Sequence, residues 1–385
     1  MGTLVELHRI RYPPFEPSRW NPEALPVAER RQIIGELDSI EEAHRRVGES
    51  GVTFSIGDES SWFVERSYEW DGQVLIPPNA FAHVDETPFA SVITRQRQGW
   101  YLIPNPIHLR VRRFINAVVI VLLGSLMYLF FSPLLLWLGL PVYGLEAVRW
   151  GLLDYPALAV VVVPLIFAPL AIRVVANLFE LRRQTAFLNR AIQPPKIQFS
   201  HPPIADQSLA VKVTFPDWEG DWKHADVLWR VGALAPAREV LFELLDRTPD
   251  QQPPPGLSTE LPHHWEVGLD DGTAGGEDAP MERQEVKGGL FLRPMRIMAN
   301  GETKRWMEGK ELSLQPPLPT WPGTTNTDLV RVHWECIVRI EREKGGALLW
   351  VEPLRVGDPS STMLSVNLPE LHDGRSELDM IESTH

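Results

Sequence analysis

The sequence predicts a membrane protein: a two-helix transmembrane hairpin with a small α+β amino-terminal segment and a carboxy-terminal all-β sandwich. Three observations carry that expectation. No Asp, Glu, Lys, Arg or His occurs from Phe114 to Leu145, a run longer than the roughly 20 residues a helix needs to cross the hydrocarbon core. A second uncharged run extends from Tyr155 to Ile172. After Lys196 the apolar period changes from helical to two, which is the pattern of half-buried strands.

These features divide the 385 residues into four parts. Residues 1–109 form the amino-terminal helix and short strands, 110–192 the hairpin and a helical stalk, 196–357 the sandwich, and 358–385 a polar tail expected to be disordered. Charge is divided unevenly. Residues 197–385 carry 18 Lys and Arg against 31 Asp and Glu, while residues 1–196 carry 19 of each sign. The whole net charge of −13 therefore sits on the carboxy-terminal part. Such a domain is repelled by phosphates, which argues against nucleic acid as a ligand. The single cysteine, Cys336, rules out an intrachain disulfide and fits a reducing compartment. Tyr12-Pro13-Pro14 stands where a signal peptide would be apolar, and Glu6 stands where a myristoylation motif needs Ser or Thr.

Along the amino-terminal segment, the first 25 residues read as a Pro-rich extended arm. A helix is predicted from about Pro26, because Ile33, Ile34, Leu37, Ile40 and Val47 recur at three- and four-residue steps. Gly48 and Gly51 would close it. Arg30, Arg31, Arg45 and Arg46 are interleaved with Glu36, Asp38, Glu41 and Glu42, the composition of a solvated helix face rather than a phosphate patch. From Val52 to Leu102 short aromatic-rich strands follow, with Asp71-Gly72 marking a hairpin turn.

The spans are flanked asymmetrically. Arg110, Arg112 and Arg113 precede the first; Arg173, Arg182, Arg183, Arg190 and Lys196 lie in or after the second; the connection holds only Arg149. The positive-inside bias then predicts a multi-pass protein of the plasma (inner) membrane with both termini cytoplasmic. Its lipid contact would run over residues 114–179. Trp137, Tyr143 and Trp150 would form an outer aromatic belt, and Pro133, Pro164 and Pro169 would kink the helices. Pro194-Pro195 ends the stalk.

In the carboxy-terminal part, Leu209–Phe215 and Ala225–Leu234 read as strands around a turn at Gly220. Arg238–Leu245 fits either a strand or a short helix. Pro249–Gly256 and Asp270–Glu285 read as loops. Leu290–Met298 reads as a strand, with Asn300-Gly301 as the following hairpin turn. The clearest strand is Leu329–Ile340: Val330, Val332, Trp334, Cys336 and Val338 share one face, and Arg331, His333, Glu335 and Arg339 share the other, which is expected to meet water. Gly345-Gly346 then turns the chain into Ala347–Val356.

Chemistry-bearing patterns are few. His333 and Cys336 sit at odd spacing on one strand and so face opposite ways. His263-His264 lacks partners at zinc spacing. Asp270-Asp271-Gly272, with Glu277 and Asp278, lacks the alternating carboxylates of a calcium loop. No cofactor or metal is expected. No nucleophile elbow, Walker loop, kinase set or dinucleotide fingerprint occurs. The binding candidates are Trp218 and Trp222 in the loop Asp217–Trp222, where exposed tryptophans would make a hot spot; the same side chains could fold down as core lids.

The stretch from Leu312 to Gly323, followed by Asp328 to Ile340, resembles arrestin-like and immunoglobulin-like β-sandwich proteins, in which a strand ends in a Pro-rich bend before a long alternating strand. The likeness covers residues 311–356. It implies an adaptor that binds other proteins through strand edges and loops, with no catalytic residue. The expected function is thus a membrane-anchored, non-enzymatic adaptor or scaffold with cytoplasmic domains and an unidentified protein partner. The alternatives are a membrane-bound enzyme with an acidic site assembled from distant residues, or an accessory subunit of a transport or envelope complex.

Overall fold

A computed structural model describes residues 1–13, 21–76, 97–103, 106–151, 153–165, 167–190, 192–234, 236, 238–248, 292, 295 and 297–367. Outside it lie Pro249–Gly256, His263-His264, Asp270–Glu285 and the tail beyond residue 367. The chain divides into two compact units. One joins Met1–Pro104 to most of the chain after Ala191, and the other is built on Asn105–Arg190.

In the first unit, strands β1 (Gly2–Arg11), β2 (Ala28–Leu37), β3 (Thr53–Gly57), β4 (Phe63–Trp70) and β5 (Gln73–Val74) surround helix α1 (Ile40–Ser50) in sequence. Strand β6 (Gly99–Leu102) follows. The predicted helix from Pro26 is corrected: residues 28–37 are a strand, and the helix begins only at Ile40. Ser39 caps it, its hydroxyl accepting the Glu42 amide at 3.2 Å, which satisfies one of the unpaired donors of a first helical turn. The extended arm is also corrected, because β1 pairs with β2 on one side and β4 on the other. Leu4, Ala43, Val47, Tyr68 and Leu75 form a core there, with Ile34, Leu37 and Trp70 packed against it. The hairpin at Asp71-Gly72 is present, both residues at positive φ, the conformation a two-residue turn demands.

The second unit contains helix α2 (Pro106–Trp137), the hairpin of β7 (Ala147–Trp150) and β8 (Leu153–Pro156), and helices α3 (Ala157–Leu165) and α4 (Phe167–Leu188). The second apolar run is thus helical over Ala157–Leu165 and Phe167–Leu188. Tyr128 fixes the turn after α2: its hydroxyl donates to the Tyr143 carbonyl at 3.1 Å and accepts from the Tyr143 amide at 2.7 Å.

The first unit resumes with β9 (Lys196–Phe199), β10 (Leu209–Thr214), β11 (Trp222–Leu234), helix α5 (Arg238–Leu244), β12 (Ile297–Arg305), β13 (Leu312–Leu314), β14 (Thr325–Asn326), β15 (Arg331–Arg342), β16 (Leu348–Leu354) and β17 (Met363–Val366). Its sheets run β17-β3-β4-β1-β2, β12-β11-β15-β16-β6 and β13-β10-β9, with β5 beside β4 and β14 beside β15. Two of these sheets join residues from both sides of the apolar helices. β6 pairs with β16, and β17 pairs in parallel with β3.

Two further expectations are corrected. Residues 363–366 of the supposed disordered tail are the strand β17, with Leu364 and Val366 buried. Asn300-Gly301 is not a turn but lies inside β12. The glycine is there for a close approach: a Cβ at Gly301 would come within 2.4 Å of the Trp229 indole nitrogen. Trp229 sits where the ladder of β11 and β12 shifts register.

Candidate functional site

The loop carrying Trp218 and Trp222 joins β10 to β11. It folds back because Phe215, just after β10, packs edge-on against both tryptophans, at 5.4 Å from Trp218 and 5.6 Å from Trp222. Trp306, next to the end of β12, completes the group. It stacks on Trp218 at 5.0 Å with an interplanar angle of 11°, and its indole N–H donates to the Val213 carbonyl at 2.9 Å. Trp222 continues the line inward to Trp100 of β6 at 6.0 Å, and Trp100 meets Trp350 of β16 at 5.4 Å. The two sequence candidates therefore differ. Trp222 is buried as a core lid, whereas Trp218 keeps 41% of its surface exposed, beside Met307 at 47%. The rings touch one another, so the group is a filled aromatic cluster with one open face rather than a cage.

A second constellation lies inside the sheet. Glu335 of β15 accepts from Nε of Arg230 on β11 at 2.9 Å and from Arg97 through both carboxylate oxygens, one at 3.1 Å. His333 Nε2 lies 3.2 Å from the same carboxylate. The water-facing role expected for His333 and Glu335 is corrected, since they are 1% and 0% exposed. Arg331 and Arg339 are only partly buried on the same face. Burial alone would raise the Glu335 pKa; the guanidiniums of Arg97 and Arg230 outweigh it and hold the carboxylate well below its ordinary range. Burial pushes His333 the other way, lowering its pKa despite the neighbouring carboxylate. A buried carboxylate is tolerated only when matched in this way.

A related network sits in the other large sheet. Glu6 accepts from Arg66 Nε at 2.7 Å and lies 3.0 Å from His8 Nε2. Arg66 also donates to the Ser50 carbonyl at 2.7 Å. Burial opposes ionisation of Glu6, but the bonds to His8 and Arg66 bring its pKa down to about 2. Asp358 accepts the Val52 amide at 3.3 Å and the Gly323 amide at 2.8 Å, linking the start of β3 to the Pro-rich bend.

The remaining candidates are quiet. Cys336 is a free, buried thiol whose pKa burial pushes up to about 12. Among the described residues no group of three His, Cys, Asp or Glu side chains is placed to hold a metal ion. A shallow depression of about 600 Å³ is lined by Gln198, Phe199, Ser200, Lys212, Gly309 and Glu311, where the Ser200 hydroxyl is hydrogen-bonded to Glu311.

Sequence reasoning missed Arg97, Arg230 and Trp306. For Arg230 a signal existed: it is the one basic residue in the apolar run from Val227 to Leu234. Compared with protein-family models, with curated proteins and with solved structures, the chain matches none. The arrestin-like resemblance therefore draws no support from outside its own residues.

Proposed function

We propose that this is a bilayer-anchored interaction module. Its two long apolar helices span a membrane as a hairpin, both termini lie in the cytoplasm, and its sheets pack as a sandwich that another protein binds. One observation carries the anchor. The most apolar stretches of the helical ranges Phe114–Trp137 and Ala157–Leu188 have mean hydropathies of 2.4 and 2.6, yet only 6% of each stretch is buried. Leaving a large apolar side chain in water forgoes about 1.5 to 3 kcal/mol, and Phe130, Leu123, Val174 and Leu178 are among many left open here. A hydrocarbon solvent removes that cost.

Interaction is favoured over chemistry by the fate of the perturbed carboxylates. Glu335 is sealed inside its sheet and Glu6 is engaged by Arg66 and His8, so both serve packing rather than a substrate. β2, which ends its sheet among the described strands, offers a surface for strand addition, the mode in which backbone hydrogen bonds supply affinity. It is ten residues long and shows Ile33 at 69% exposure.

Single cysteines test the reading. In intact cells an impermeant thiol reagent should label one at Gly151 and spare those at Gly2 and His385. Labelling at the termini but not at Gly151 would reverse the orientation. A photo-reactive residue at Ile33 should give a discrete adduct in native membranes, and its absence would remove β2 as the binding edge.

A further inference from the structure

We infer that the end of the β unit bearing Trp218, Trp306 and Met307 rests on a zwitterionic lipid surface, with its tryptophans at headgroup depth; this depends on the bilayer anchor proposed above.

Strand registers within the β unit lead to it. Thr214, at the end of β10, pairs with Lys196, the first residue of β9. The point where the chain returns from the apolar helices therefore adjoins Phe215 and the aromatic cluster. On the other sheet, Leu102 at the end of β6 pairs with Leu348, and the Ile103 amide donates to the Ala347 carbonyl at 3.0 Å. The point where the chain departs for those helices thus adjoins the turn at Gly345-Gly346. Ile340, opposite Leu348, also pairs with Ala225, and Arg342 pairs with Trp222. Trp222 then reaches Phe215 at 5.6 Å on one side and Trp100 at 6.0 Å on the other. Departure and return lie at one end of the unit, bridged by aromatic rings.

That same end shows the half-exposed Trp218 and Met307. Tryptophan is the side chain that suits a membrane–water boundary, since a large apolar ring carries one polar N–H. The charge adjoining these residues is mixed: Asp217, Glu219, Asp221 and Glu308 stand with Lys196, Lys223, Lys310 and the Arg342 paired with Trp222. Nothing in that balance calls for anionic lipid, and an acidic unit would gain little from it. Apolar insertion into phosphatidylcholine is the contact this surface suits.

The test uses the full chain in phosphatidylcholine vesicles, with an environment-sensitive fluorophore on one introduced cysteine at a time; Cys336 is buried and stays unlabelled. Lipids carry a nitroxide either at the headgroup or in mid-chain. The Met307→Cys probe should be quenched several-fold more by the headgroup nitroxide than by the mid-chain one. Raising salt from 0.1 to about 1 M, which shortens the screening length to about 3 Å, should leave that quenching unchanged. Leu123→Cys in α2 should show the opposite depth preference. Leu318→Cys, exposed beyond the far end of β13, should be quenched by neither. Deep quenching at position 123 with none at 307 overturns the inference and leaves the anchor standing. No quenching at 123 overturns both. Equal quenching at 307 and 318 would mean unspecific adsorption and also overturns it.

Discussion

Glu335 lies directly across the β11–β15 ladder from Arg230, and the 2.9 Å bond between them is closed off from solvent. Arg97 shares the same carboxylate. Replacing Glu335 by Gln leaves two guanidiniums facing a neutral amide in a dry interior. Breaking a buried pair from one side costs about 3 to 5 kcal/mol. Urea unfolding of the detergent-solubilised chain should show that loss, while Glu59→Gln, at an exposed ion pair with Arg9, should change stability by about 1 kcal/mol or less.

Acid should destabilise the β unit in two stages. The fold lowers the His333 pKa below its ordinary 6.5, so it favours the neutral ring. That contribution is complete above 6.5 and is lost as pH falls through 6.5 toward the lower folded value. Glu335 and Glu6 are both held below the ordinary 4.5. Their contributions are present above 4.5 and disappear as pH falls further, for Glu6 toward about 2. Thermal melting across pH should therefore decline first below 6.5 and again below 4.5. His333→Asn should abolish only the first decline; persistence of that decline would assign it to another group.

Positions 333 and 334 should both be sensitive, for different reasons. Trp334 is fully buried, packs at 5.0 Å against Trp229 and donates to the Pro322 carbonyl at 3.0 Å. Trp334→Ala should cost about 3 to 5 kcal/mol through lost burial and the cavity left behind. His333→Ala takes a hydrogen-bonding partner from the buried Glu335 carboxylate and should cost about 1 to 3 kcal/mol. A neutral His333→Ala would mean that its face of β15 is open to water.

Ending the chain at Gly357 should weaken the fold, whereas ending it at Asn367 keeps the strand that matters. The shorter form loses Asp358 and β17, and with them Leu364 and Val366 on the edge of β3. The difference in melting temperature between the two forms measures that loss directly. Equal melting would show that β17 is dispensable.

The apolar helices were legible because absence of charge over a long run is a local signal. So was β15, where Val332, Trp334 and Cys336 alternate with His333 and Glu335. Alternation tells which side chains share a face, but not what covers the face. The matching cations on Arg97 and Arg230 come from distant segments, so the pattern around His333 and Glu335 reads as a water-facing side. β2 is a strand where its sequence reads as a helix, because Ile33, Ile34 and Leu37 satisfy helical spacing while its partner β1 carries no clean period of its own. Trp218 and Trp222 stand four residues apart, and it is Trp100, from the distant strand β6, that packs on Trp222 while Trp218 stays 41% exposed.

The parallel pairing of Phe54 with Leu364 has a consequence for synthesis. A ribosome adding about 5 to 20 residues per second needs on the order of tens of seconds to travel between those two positions. During that interval β3 has an unfilled edge and β6 waits for Leu348. The two apolar helices are made in between. The amino-terminal strands must therefore be held soluble, by a holdase or by their own α1 packing, until the far end of the polypeptide emerges to close a very long loop. Nascent chains stalled before Leu348 should accordingly be the aggregation-prone species of this protein.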